Sequence, residues 1–173
     1  MIILRAQPTS FKKVNTLFQV ISTLSKEEAR FFKLYATRTN SSDARKDLLL
    51  FDQLKKPLQF DEDKFAEKHY GNKKNAYYRL KNRLLNDINK SLMLQHIEKE
   101  VDLSILKTLL VSRVFRAKGK CDLTRSYLKK AEKKCIESES FELLNMVYND
   151  LIKLSHDDSS INVEDCIKKR KSN

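Results

Sequence analysis

Residues 71–95, GNKKNAYYRLKNRLLNDINKSLMLQ, hold the side chains whose types and spacing best fit a chemistry. Read as a helix, the stretch places Asn75, Arg79, Asn82, Arg83, Asn86 and Lys90 along one side. Arg reads guanine and Asn reads adenine through paired hydrogen bonds to base edges, while Lys meets phosphate. Lys73 and Lys74 lead into the helix, and from Lys73 to Arg83 there are five basic residues and no acid. Lys73, Lys74, Arg79, Arg83 and Lys90 are therefore the expected phosphate contacts of a nucleic-acid face, DNA or RNA, with Asn75 and Asn82 at base edges. The opposite side carries Tyr77, Leu80, Leu84, Ile88 and Leu92 at the three- and four-residue steps of a core-facing stripe. Tyr78 can stack on a base, but it lies at the edge of the apolar face, where packing is the simpler role. The competing interpretation is a solvated or protein-binding face. Exposed helix faces are ordinarily rich in Lys and Arg, and Asp87 interrupts this one.

No other constellation supplies reaction chemistry. Two isolated glycines exclude a Gly-rich phosphate loop. His69, His96 and His156 are scattered, there is no HExxH, and no Glu is followed by His three positions on. The acidic pairs Glu27-Glu28 and Asp157-Asp158 are explained by a helix start and a linker. The expectation is a chain with no catalytic residues, metal, cofactor or small-molecule substrate.

The elements that must position the basic helix are helices too. Phe11, Val14, Leu17, Phe18 and Ile21 mark one over about Ser10 to Thr23. Leu24-Ser25-Lys26-Glu27-Glu28 then spells a capping box, Ser25 with Glu28, with Leu24 and Ala29 placed as a hydrophobic staple. The helix it opens should bury Phe32 and Tyr35. A polar loop at Thr39–Ser42 precedes a third helix, about Asp43 to Lys55, with Ala44, Leu48, Phe51 and Leu54 inward and Pro57 as its stop. Asp61 caps a short helix that buries Phe65 and Ala66, and Gly71 ends it. A short helix, a tight turn and a longer basic helix over 61–95 make a helix-turn-helix-like outline, whose second helix is the one expected to face DNA.

Further on, 97–118 predicts a helix with Val101, Ile105, Leu109, Val111 and Phe115 inward, either separate or running on from the basic helix. Gly119 breaks it. Asp122 caps the next, with Leu128, Ala131 and Cys135 inward, and a third buries Phe141, Leu144, Val147, Tyr148 and Leu151. Phe115, Gly119 and Ala131 fit the skeleton of a tetratricopeptide-like hairpin, although its aromatic-Pro portion is missing and Asp122 stands where an aromatic is usual; the alternative is a generic αα-hairpin, which also needs a small contact residue. Residues 156–162 read as a linker and 163–173 as a basic tail of one or two helical turns that then frays, with Lys168-Lys169-Arg170-Lys171 a solvated charge run in preference to a targeting or phosphate-binding tail.

The segments ISTLSKEEARFFKLYATR, LLLFDQL, FAEKHYG and KNAYYRLKNRLLNDINKSL, followed by the Gly119 hairpin, resemble the start of a family of uncharacterised bacterial helical-repeat proteins, mostly from Bacteroidota. The resemblance spans roughly residues 15–155 and rests on pattern. It implies a helical N-terminal unit feeding a longer repeat array, and it brings no activity with it.

Bulk properties agree with an all-α protein. Two glycines and two prolines in 173 residues leave few tight turns, and 34% charged residues suit long solvated helices. The net charge of +12 is uneven: residues 1–95 carry +9 and residues 96–173 carry +3. Excess positive charge favours polyanion partners through steering and counterion release. Cys121, Cys135 and Cys166 are an odd number without CxxC spacing, as in a cytoplasmic protein with reduced thiols. No apolar run is long enough to span a membrane. Three parts are expected: a basic helical bundle over 1–95, a repeat-like hairpin over 96–155, and the linker and tail. The expected function is non-enzymatic. The first part contacts nucleic acid, and the hairpin binds a protein partner or a second copy. The alternative is a pure protein-interaction scaffold.

Overall fold

The computed structural model describes residues 16–39, 44–56, 61–71 and 73–172. These form nine α-helices and no strand. The chain divides into two compact units, Met1–Met93 and Leu94–Asn173.

The first unit holds α1 (Thr16–Thr23), α2 (Lys26–Thr39), α3 (Ala44–Leu54), α4 (Glu62–Tyr70) and most of α5 (Lys74–His96). The capping box forms as spelled. The Glu28 amide donates to Ser25 Oγ at 3.1 Å, and the Ser25 amide donates to Glu28 Oε2 at 2.8 Å. Leu24 and Ala29, the staple pair, are both buried. Leu17, Ile21, Phe32, Leu50, Phe51, Leu54, Tyr77, Leu80, Leu84 and Ile88 make one core, in which the Phe32 and Phe51 rings pack at 4.7 Å between centroids. Tyr35 is only half-buried, and Ala36 takes the inward place beside Phe32. Thr39, expected in the polar loop, ends α2 instead, while the expected helix start at Ser10 with Phe11 and Val14, the rest of that loop, Asp43, the Ala44 side chain and the Pro57 stop lie outside the described residues.

The second unit holds α6 (Val101–Ala117), α7 (Cys121–Glu137), α8 (Phe141–Leu154) and α9 (Val163–Ser172). Turns at 97–100 separate α6 from α5. Each helix packs on the next, and α6 also reaches α8. The core is Ile105, Leu109, Leu128, Ala131, Cys135, Leu144, Val147, Leu151 and Leu154, with Cys166 of α9 closing it. Ala131 is fully buried, a small residue where helices approach closely. Ser112 and Thr124 sit on the buried stripes, and each satisfies its hydroxyl on a carbonyl of the preceding turn, Leu109 at 2.7 Å and Lys120 at 2.8 Å.

Four expectations change here. Val101 and Phe141, expected inward, are 56% and 54% exposed. Each is the first residue of its helix, and a helical side chain leans toward the N-terminus. A first residue therefore reaches past the helix end instead of onto the core. Asp122 is not a cap: α7 begins at Cys121, and Asp122 lies in its first turn, paired with Arg125 at 3.2 Å. Residues 163–172 are a ten-residue helix. Asn162 Oδ1 accepts from the Asp165 amide at its start, and Arg170 donates to Asn149 Oδ1 of α8 at 2.7 Å.

The turns after α6 and α7 share one geometry. The Lys120 amide donates to the Phe115 carbonyl at 3.0 Å and the Gly119 amide to Arg116 at 2.9 Å. One hairpin on, the Ser140 amide donates to Cys135 at 2.9 Å and the Glu139 amide to Ile136 at 3.3 Å. This is the paired bond pattern that closes a helix on a left-handed residue. Gly119 has φ +67° there, and Glu139 has φ +55°. An added Cβ at Gly119 would meet nothing within 4 Å, so only backbone strain opposes it. Gly119→Ala is expected to destabilise by about 1 kcal/mol and Glu139→Gly to stabilise by about 1 kcal/mol. Urea denaturation of the two variants checks both signs.

Candidate nucleic-acid interface

α4 and the turn after it set the start of α5. Asp61 Oδ1 accepts from the Lys64 amide at 3.1 Å at the head of α4. That backbone hydrogen bond, with the Lys64 side chain second, holds the Asp61 carboxyl below its ordinary range. Gly71, at φ +53°, ends α4 by donating to the Glu67 carbonyl at 2.8 Å. Across the turn, the Phe65 and Tyr77 rings lie 6.2 Å apart and Lys81 Nζ meets Glu62 Oε1 at 2.6 Å. Burial and the nearby Glu62 carboxylate push the Tyr77 phenol well above its usual range.

α5 buries Tyr77, Leu80, Leu84 and Ile88. The predicted face of Lys73, Lys74, Asn75, Arg79, Asn82, Arg83 and Lys90 is exposed along its length. The cations on it differ in availability. Arg83 Nη2 holds Asp47 Oδ1 of α3 at 3.1 Å, and the Asp47 side chain is 3% exposed. Lys90 pairs with Asp87 at 3.7 Å one turn back. Lys73, Lys74 and Arg79 make no ion pair among the described residues. The open positive charge thus gathers at the N-terminal half of α5, with Asn75 and Asn82 beside it.

That end of the helix breaks a local rule. Acids stabilise a helix N-terminus and bases oppose its dipole. Among the described helices, every one from α2 to α9 except α5 has an acid in its first turn. α5 opens with Lys73 and Lys74 instead. Its dipole and two lysines point positive potential at one spot, which is where a phosphate is best held.

The sequence reading missed a second basic surface in this unit. A groove of about 430 Å³ runs between α2 and α3, lined by Lys26, Arg30, Lys33 and Lys55 over Ala29 and Leu48. Lys33 is paired with Asp52 at 2.6 Å. The signal was present, since Lys26, Arg30 and Lys33 recur at helical steps, but the capping box beside them accounted for the segment's pattern.

The second unit presents the opposite chemistry. A groove of about 740 Å³ lies among the start of α6, the α7–α8 turn and the start of α8. Val101, Leu106, Phe141 and Leu143 supply its apolar surface. Glu100, Asp102, Glu139 and Glu142 supply charge, and no Lys or Arg lines it. Ser140 Oγ donates to Asp102 Oδ1 at 2.7 Å and so ties the two helix starts together.

Elsewhere in this unit, carboxylates are bound into the structure by arginines. Arg113 Nε meets Asp150 Oδ2 at 2.7 Å, and Arg125 Nε meets Asp158 Oδ2 at 2.7 Å. Ser160 and Arg125 together hold the Asp158 carboxyl below its usual range. Asp158 belongs to the stretch expected as a linker, and its contacts order that stretch. Among the described residues no group of three or more His, Cys, Asp or Glu side chains is placed to hold a metal ion. No described helix is long and apolar enough to cross a membrane.

All three thiols are free. Burial pushes Cys135 up to about 11 and Cys166 above its usual value, while Cys121 is partly exposed. Only a thiolate attacks a disulfide reagent. One fast-reacting thiol per chain is therefore expected at pH 8, with the other two released by denaturant. Thiol counting with an aromatic disulfide reagent checks this, and three equally fast thiols would contradict it. No family model matches the chain, and no curated protein or solved structure matches it.

Proposed function

We propose that this chain is a non-enzymatic binding protein of the cytoplasm. Its basic first unit contacts nucleic acid through the N-terminal half of α5, and its second unit, a tetratricopeptide-like stack of helical hairpins, binds a protein partner. One observation supports the nucleic-acid assignment: among the described residues, Lys73, Lys74 and Arg79 stand without ion pairs in the N-terminal half of α5. Charge placed against the helix dipole lowers local stability, a cost that a bound phosphate would offset. Lys73, Lys74 and Arg79 take phosphates, and Asn75 and Asn82 face the bases. Arg83 serves mainly to hold Asp47, and Lys90 is tempered by Asp87. α4, the Gly71 turn and α5 act as a helix-turn-helix-like pair. The repeat-like reading of the second unit is supported by packing of α6 on both α7 and α8 and by the shared turn geometry at Gly119 and Glu139.

Fluorescence anisotropy with mixed-sequence duplex DNA and single-stranded RNA across a salt series tests the assignment. The wild type is expected to bind one or both at low salt and to weaken as salt rises. Lys74→Ala/Arg79→Ala should cost at least about tenfold in affinity at low salt and flatten the salt slope by about two contacts. A wild type that binds neither probe at low salt rules the assignment out. A pure protein-interaction scaffold is the second reading, and the acidic, apolar groove of the second unit favours it.

A further inference from the structure

The groove of the second unit holds two carboxylates, Glu100 and Glu139, whose placement local folding does not explain. Asp102 and Glu142 have an ordinary reason to be there, since each lies in the first turn of a helix. Glu139 does not. It occupies a left-handed position at φ +55°, where the matching turn one hairpin earlier uses Gly119. A glutamate there costs backbone energy that glycine would avoid. Glu100 stands at the cap position of α6 and makes no capping hydrogen bond. Among the described residues, Glu100, Glu139 and Glu142 form no ion pair, in a chain of net charge +12. Between these carboxylates, Val101 and Phe141 are more than half exposed, each turned outward as the first residue of its helix.

An apolar floor ringed by unpaired carboxylates fits an apolar anchor flanked by cations. Such a segment is present on this chain. On α5, Tyr78 is 59% exposed, with Lys74 one turn before it and Arg79 next to it. A helix laid in a groove with one aromatic anchor is a standard mode of recognition. Resting on the protein-binding half of the function proposed above, we infer that the groove takes the N-terminal half of α5 from a second copy of this chain, with Tyr78 seated against Val101 and Phe141 and with Lys74 and Arg79 facing Glu139 and Glu142. The contact joins two different surfaces of the chain, so copies add in open chains or closed rings. Because Lys74 and Arg79 also meet nucleic acid, nucleic acid and a second copy compete for the same face, and bound nucleic acid disperses the chains.

Sedimentation velocity on the full chain tests this. At about 50 mM salt the wild type should sediment faster as concentration rises, and at about 500 mM it should be monomeric, because exposed charge pairs are screened. Glu139→Lys/Glu142→Lys and Lys74→Glu/Arg79→Glu should each be monomeric at low salt. Mixing the two variants in equal amounts should restore association, since each then offers a surface of opposite sign to the other. Phe141→Ser, a change at an exposed site, should weaken association without charge reversal. A wild type that stays monomeric at low salt up to about 100 µM, far above the micromolar affinities of ordinary interfaces, overturns the inference, as does a mixture that fails to associate. Duplex binding read on the same samples keeps the two proposals apart. Monomeric wild type that binds DNA defeats only the self-docking. Self-association without any nucleic-acid binding defeats only the nucleic-acid assignment.

Discussion

Arg83→Ala is expected to cost about 2–3 kcal/mol of stability, while Arg79→Ala, four residues earlier on the same exposed face, should stay within about 0.5 kcal/mol of wild type. Arg83 holds Asp47 at 3.1 Å, and the Asp47 side chain is 3% exposed whereas that of Arg83 is 42% exposed. Removing the guanidinium takes from this buried carboxylate the ion pair it makes across to α5. Breaking a fully buried pair costs about 3–5 kcal/mol, and the half-exposed Arg83 side lets water repay part of it. Asp47→Asn removes the charge with little change of shape and should cost less than Arg83→Ala. Nucleic-acid binding should order the variants the other way, with Arg79→Ala the more damaging once both are measured fully folded. Urea denaturation with anisotropy on the same samples reads both effects. Equal stability of the two arginine variants would remove Arg83 from its structural role. For the same reason, a combined Arg79/Arg83 variant is a poor probe of the surface, since it mixes loss of contact with loss of fold.

Phe51→Ala is expected to be the more damaging change to the fold, at about 4 kcal/mol. Phe51 is fully buried in the first unit, 4.7 Å from the Phe32 ring between centroids. Lys33 and Lys55 also place their ammonium groups 5.9 Å from its ring centroid. Truncation therefore removes apolar burial, a ring–ring contact and two weak cation–ring contacts together. Leu49→Ala, two positions away at 49% exposure, should change stability by less than about 0.5 kcal/mol. The midpoint of urea unfolding, with an unchanged slope, is the measurement. A Phe51→Ala midpoint equal to that of Leu49→Ala would mean that the core of this unit is not built around α2 and α3.

Helical periodicity by itself determined that the chain is all-α, and it located the buried stripes of α5, α7 and α8, because a stripe of Leu, Ile and Tyr at helical steps has few ways to leave water. Ser25 and Glu28 also spelled their capping box in advance, since both partners lie within one turn. What lay beyond local pattern was decided by side chains brought together from distant positions. Nothing around Arg83 announces Asp47, 36 positions earlier, so only the packing of α3 and α5 separates a structural arginine from the open charge of Lys74 and Arg79. Val101 and Phe141 fit their apolar stripes in sequence. Their place at the first residue of a helix turns them outward, and the Ser140–Asp102 bond joins those two helix starts across 38 positions. The acidic groove exists only through that meeting, because periodicity describes one helix at a time, whereas a surface is made where several of them end together.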